Sequence, residues 1–200
     1  MGQTKDDGTN RLDRRAVVLA LLADRGELLV VSGLGSATYD CAAAGDDDRN
    51  FYLWGAMGGS VMVALGLALA QPDHPVAAIT GDGEMLMGLG SLATVGVQAS
   101  ANLSIIVLDN ERYGETGMQR SATAHGVDLT EIARGCGIAD ARTVDTMDGV
   151  AALAGDIQSS AGTLFATIRV SRAEAERVLP TRDGAVLRER FRAAVLGQAG

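Results

Sequence analysis

Lysine is nearly missing from this 200-residue chain: of its 17 basic residues only Lys5 is a lysine, and it lies in a polar stretch over 1–10. A lysine Schiff base and a lysine-bearing phosphate loop both need that side chain inside the fold, so neither is expected. Cysteine is scarce too. Cys41 and Cys136 are too few for a disulfide framework or a cysteine zinc site, and read as two buried, reduced thiols. His74 and His125 do not stand at zinc-site spacing from them. No Gly-x-Ser-x-Gly nucleophile elbow occurs, and Ser32-Gly33-Leu34-Gly35-Ser36 lacks the third glycine of a dinucleotide fingerprint. Positive charge is in deficit: the formal net charge is −8, which argues against a nucleic-acid or anionic-membrane partner. The longest apolar run, 55–70, is short for a membrane span and rich in Gly and Ala, as suits a buried helix packed closely on a sheet. Residues 1–10 lack the apolar stretch of a signal peptide, and the expected location is the cytoplasm.

What is present is the composition of a globular protein, 47% hydrophobic and 21% charged. The length suits one domain, taken as 11–200 behind the tail 1–10. Apolar periodicity predicts a helix over 12–23, and the run 28–31 reads as a buried strand. A charged turn over 45–50 leads through 51–54 to Gly55-Ala56-Met57-Gly58-Gly59 and a small-residue helix ending near 70. A turn with two prolines, 71–75, closes that helix. The run 76–80 is a second buried strand, followed by a helix over 85–100 and a third strand over 103–108. Asp128 reads as the N-cap of a helix through 136, with Glu131 completing a capping box. A helix over 147–159, a strand over 164–170 and a helix over 183–196 finish the chain. Continuously apolar strands alternating with helices imply an α/β fold: a doubly wound, mainly parallel sheet of about six strands, covered on both faces.

In such a sheet ligands bind beyond the carboxyl ends of the strands. Two strand ends carry unusual polar residues, Gly81-Asp82-Gly83-Glu84 and Asp109-Asn110, and adjacent parallel strands would bring them together. The glycines let backbone N–H groups approach an anion at the start of a helix whose dipole favours negative charge. A carboxylate there would repel a phosphate unless a hard cation sits between them. Mg²⁺ takes one or two protein oxygens and completes its octahedron with phosphate and water. Asp82 offers charge and the Asn110 amide a neutral oxygen. The Glu84 side chain reads as a helix-start charge rather than a catalytic acid.

Gly81-Asp82-Gly83 followed by Asn110, a step of 28 residues, resembles the motif of the thiamine-diphosphate enzymes, where Gly-Asp-Gly and Asn stand about 25 to 30 residues apart on two strand ends of the diphosphate-binding domain. The resemblance implies Asp82 and Asn110 as side-chain metal ligands, with Arg112 contributing its backbone carbonyl. It implies backbone N–H contacts from Gly83 and Glu84 to the diphosphate. Asp109 replaces the first asparagine of the usual pair and leaves the ligating one in place. Gly55-Ala56-Met57-Gly58 resembles the segment that holds the aminopyrimidine, with the Gly55 carbonyl accepting from the 4′-amino group and Met57 as the apolar wedge; Met57 as plain core is the alternative. Tyr113-Gly114-Glu115-Thr116-Gly117-Met118-Gln119 and Gly88-Leu89-Gly90-Ser91-Leu92-Ala93-Thr94 look like runs of the sulfopyruvate and phosphonopyruvate decarboxylases.

The cofactors so implied are thiamine diphosphate and Mg²⁺, and the implied reaction is decarboxylation of a small 2-oxo acid with an anionic tail. Arg112 and Arg120 are conceivable contacts for that tail. His125 stands as a candidate proton carrier beside its reading as an ordinary exposed histidine. In this family a glutamate on a separate pyrimidine-binding domain activates the cofactor. This chain has room for one domain, so the expectation is a β-type subunit of a hetero-oligomer whose partner, an α-type pyrimidine subunit, brings that glutamate. The alternatives are a carboligase subunit of the acetolactate-synthase type and a non-catalytic cofactor-binding module with a regulatory role.

Overall fold

The computed structural model describes residues 11–159 and 161–197; the polar stretch over 1–10 lies outside them. Six strands form one parallel sheet: β1 (Leu29–Ser32), β2 (Asn50–Tyr52), β3 (Val76–Gly81), β4 (Leu103–Asp109), β7 (Asp140–Val144) and β8 (Leu164–Arg169). Their order across the sheet is β2-β1-β3-β4-β8-β7. Every residue of β4 and the first five of β3 are buried, as continuous Val/Ile/Leu/Ala runs require when helices cover both faces. A short antiparallel ribbon, β5 (Arg112–Tyr113) with β6 (Gln119–Arg120), stands beyond the end of β4.

The helices divide between the two faces. Buried residues of α1 (Arg14–Leu22), α2 (Ser36–Ala43) and α7 (Met147–Ser159) join one apolar cluster. Those of α3 (Ser60–Ala70), α4 (Asp82–Met87), α5 (Ser91–Gln98) and α6 (Leu129–Gly135) join the other. The last helix, α8 (Gly184–Leu196), packs along edge strand β2, where the Phe51 and Phe191 rings lie 5.4 Å apart. It thereby covers an edge that would otherwise expose unpaired backbone.

The helix expected over 85–100 is two helices, broken at Gly88-Leu89-Gly90. A Cβ on Gly88 would stand 2.3 Å from the Gly58 carbonyl oxygen, so the backbones of two segments touch there, and glycine also weakens the helix. Among the elements that the sequence does not announce are α2, β7 and the three-residue strand β2. α2 is buried on nearly every side, so it shows no polar–apolar period. β7 is an edge strand only partly buried, without a continuous apolar run. Asp128 does cap α6, accepting from the Thr130 and Glu131 N–H groups, but Glu131 pairs with Arg134 instead of reaching back to close a capping box. Both cysteines are free; Cys41 is buried and Cys136 half-buried.

Candidate active site

The strand order reverses beside β1: the chain leaves β1 for β2 on one side and returns to β3 on the other. The crevice beyond the carboxyl ends of β1 and β3 is therefore the switch point at which doubly wound folds bind ligands. β3 pairs with β4 in a register that sets Gly81 opposite Leu108. Asp82 and the Asp109-Asn110 pair, far apart in sequence, thus emerge side by side.

Asp82 opens α4 directly after β3 and is 1% exposed. Thr123, on a short 3-10 turn over Ala122–His125, reaches back over this carboxylate. Its hydroxyl lies 3.1 Å from Asp82 Oδ2 and 2.9 Å from Asp109 Oδ1, with Ser121 Oγ 2.9 Å away. Burial, together with the nearby Asp109 charge and against the hydroxyl contacts, pushes the Asp82 carboxyl up to about 6. Burial raises the Asp109 carboxyl as well. Two buried carboxylates bridged by one hydroxyl repel each other, and a cation beside them would relieve that repulsion.

The turn after β4 is held rigidly. Asn110 Oδ1 accepts from the Arg112 N–H at 2.9 Å, and Glu111 adopts a left-handed φ of 60°. Arg11 and Arg172 both pair with the Glu111 carboxylate and hold that conformation from two sides. Past the turn the Tyr113 ring lies on Gly83; a Cβ there would stand 2.6 Å from the ring, so only glycine lets α4 start beneath it. Gly55 and Gly58, at φ 75° and 85°, bend the loop before α3. That bend brings half-exposed Met57 to the same crevice, opposite Met87 of α4.

One cavity of about 120 Å³ gathers these groups. Asp82, Asn110 and Arg112, the three expected metal positions, all line it. So do Gly81, Gly83, Glu84 and Met57, and then Tyr113, Gly114, Glu115 and Thr116. Gly55 is exposed and does not line it, and neither does His125, which is exposed to solvent. The turn carrying His125 instead delivers Thr123. Arg120 is exposed, with its guanidinium on the Ala124 carbonyl, and stands outside the cavity.

Two contributions are not evident along the sequence. Leu34, Ser36 and Ala37 line the cavity, so the Gly33-Leu34-Gly35 loop and the start of α2 belong to it. The available signal is a glycine-rich turn straight after a strand, although it lacks one glycine of the dinucleotide fingerprint. The Glu84 side chain, in the first turn of α4, is also buried: it is 4% exposed and turned toward Gly33.

The donor set fits a hard divalent cation holding an anionic ligand. It offers one carboxylate, one amide oxygen and one backbone carbonyl, beside N–H groups at a helix start. No group of three or more His, Cys, Asp or Glu side chains that could hold a metal by themselves occurs among the described residues.

Residues 42–168 match the family of the thiamine pyrophosphate enzyme C-terminal TPP-binding domain. The chain belongs to this family. Within it, the chain is 40% identical over 120 residues to sulfopyruvate decarboxylase subunit beta of Methanocaldococcus jannaschii, covering 60% of this chain and 63% of that subunit. It is 36% identical over 169 residues to the subunit of the same name from Methanothermobacter thermautotrophicus, covering 84% of this chain and 88% of that one. Phosphonopyruvate decarboxylase of Streptomyces viridochromogenes is 40% identical over 158 residues, which are 78% of this chain but only 38% of that enzyme. Among solved structures, benzoylformate decarboxylase of Polynucleobacter necessarius superposes with a TM-score of 0.68 at 19% identity, over 88% of this chain and 36% of that one. That likeness establishes the doubly wound fold independently of close sequence similarity.

Proposed function

We propose that the crevice at the switch point holds the diphosphate of thiamine diphosphate through Mg²⁺, with Asp82, Asn110 and the Arg112 carbonyl as protein ligands. One observation carries this reading: residues 28 positions apart, matching the family motif, line a single cavity with the N–H groups of α4. Gly83 and Glu84 offer backbone donors to the diphosphate, the Tyr113 ring closes one wall, and Met57 stands where it can bend the cofactor. The bound cofactor supplies a nucleophilic carbon and an electron sink for loss of CO₂ from a 2-oxo acid. The chain's own part is binding, orientation and exclusion of water.

The reaction we assign is decarboxylation of a small 2-oxo acid of the sulfopyruvate or phosphonopyruvate type, by a complex in which this chain is the diphosphate-binding subunit. Relatives named as beta subunits support a partner, and so does the matched phosphonopyruvate decarboxylase, of which this chain spans little more than a third. The cavity points the same way. At about 120 Å³ it is smaller than complete ligand pockets of roughly 300 Å³ and more, which supports an enclosure shared with another surface. Beside it α3 turns Met62 (42% exposed), Val63 and Leu69 (52% exposed) to solvent, an apolar face suited to a partner domain. No helix among the described residues is long and apolar enough to cross a membrane.

The test is reconstitution with a pyrimidine-domain subunit, followed by assay of CO₂ release from sulfopyruvate and phosphonopyruvate with Mg²⁺ and cofactor. Turnover that needs both subunits and is lost in Asp82→Ala supports the reading. Unchanged turnover in Asp82→Ala refutes the metal site. Condensation products formed with an added 2-oxo acid or aldehyde acceptor would identify a carboligase instead.

A further inference from the structure

The diphosphate site uses Glu84 only through its backbone N–H. Its carboxylate is buried, and neither oxygen has a hydrogen-bond partner among the described residues. It lies flat against the backbone of Gly33: a Cβ there would stand 1.7 Å from Oε2 and 2.9 Å from Oε1, and its three nearest atoms all belong to Glu84. Gly33 opens the loop into α2, whose N-cap, Gly35, brings no side chain to the free N–H groups of that helix. The start of α2 and the Glu84 side chain therefore face one space. The start of α2 attracts negative charge, yet this carboxylate makes no hydrogen bond to it. A buried carboxyl group without donors marks a state waiting for something to change.

We propose that Glu84 is an internal stand-in for the ligand's diphosphate: in the free chain its carboxylate occupies the anion position facing the start of α2, and it swings off Gly33 when the diphosphate enters. The inference rests on the diphosphate reading of this cavity and adds to it a competition inside the site. Two anions repel each other in a small cavity unless cations balance them. The diphosphate brings several oxygens to the same N–H groups and arrives with a metal, so it displaces the side chain. Glu84 then weakens binding of any diphosphate ligand, and Gly33 is the shelf that permits this, since a methyl group at 33 would evict the carboxylate.

Calorimetric titration of the purified chain tests this, with Mg²⁺ plus thiamine diphosphate in one series and Mg²⁺ plus inorganic pyrophosphate in another. Glu84→Ala is expected to bind both probes roughly tenfold more tightly than wild type. Glu84→Gln, which keeps the volume and removes the charge, should fall between them, and it guards against a fold lost on truncation. Gly33→Ala should tighten pyrophosphate binding while Glu84 is present and change nothing in the Glu84→Ala background, a coupling that a merely structural residue would not give. If wild type binds and the Glu84 variants bind equally or less well, the stand-in role is refuted while the diphosphate pocket stands. If folded wild type and variants all fail to bind either probe, the pocket assignment itself falls, and the stand-in role with it.

Discussion

Replacing Asp82 by asparagine should make the free protein more stable at pH 8, while destroying the site. The carboxyl is 1% exposed and held up at about 6, against an ordinary value of 3.8, by burial and by Asp109. A group whose value is raised on folding is favoured in its protonated form within the fold. Its stabilising contribution is therefore complete below about pH 4 and is lost as pH rises through about 6. The rise corresponds to roughly 3 kcal/mol at pH 8. The Asp82→Asn side chain would keep the shape, carry no charge and offer Asp109 a donor. The variant should therefore melt higher than wild type at pH 8 by several degrees, at roughly 2–4 °C per kcal/mol for a chain of this size. At pH 5, where about half of that contribution is already lost, the gap should shrink to roughly half, and it should close only below about pH 4. Adding Mg²⁺ and thiamine diphosphate should reverse the order at pH 8, because the carboxylate then has its cation and the amide gains nothing. Thermal melts of both proteins at the two pH values, with and without ligands, make the comparison. A variant less stable than wild type at pH 8 without ligand, or a difference independent of pH, refutes the idea that the buried charge of Asp82 calls for a metal.

Other consequences are open to simpler tests. Thr123→Val should weaken Mg²⁺-dependent cofactor binding about tenfold by freeing Asp82 to rotate, and Thr123→Ser should restore most of it; equal loss in both variants would make Thr123 a packing residue. Gly88→Ala should cost roughly 2–4 kcal/mol in urea unfolding, because its methyl group meets the Gly58 carbonyl at 2.3 Å and that neighbour is backbone. A change under about 1 kcal/mol would mean that the two segments are not truly in contact. Met62→Glu on α3 should leave the melting temperature of the isolated chain within a degree or two, yet abolish co-purification with a pyrimidine-domain partner. Undiminished complex formation would place the partner on another face.

Much of this protein is legible along the chain because the relevant physics is local. The apolar runs of β3 and β4 are buried on both faces and announce themselves as strands, and Asp128 and Asp183 mark helix starts by their own side chains. Asp82 and Asn110 are legible because a strand end is a short segment whose residue types are set by the backbone geometry there. What tertiary structure alone decides involves contacts between residues remote in sequence. Thr123, rather than its neighbour His125, meets Asp82 because the turn after β6 folds back 41 positions. The helix over 85–100 breaks where Gly58 happens to touch Gly88. Glu84 reads in sequence as a helix-start charge, and only the fold lays it buried against Gly33, 51 positions earlier. No periodicity or turn rule encodes such meetings; they arise when a parallel sheet carries distant strand ends to one edge. Hence the identity of the two proposed ligating residues is a property of the sequence, and the unbalanced charge around them a property of the fold.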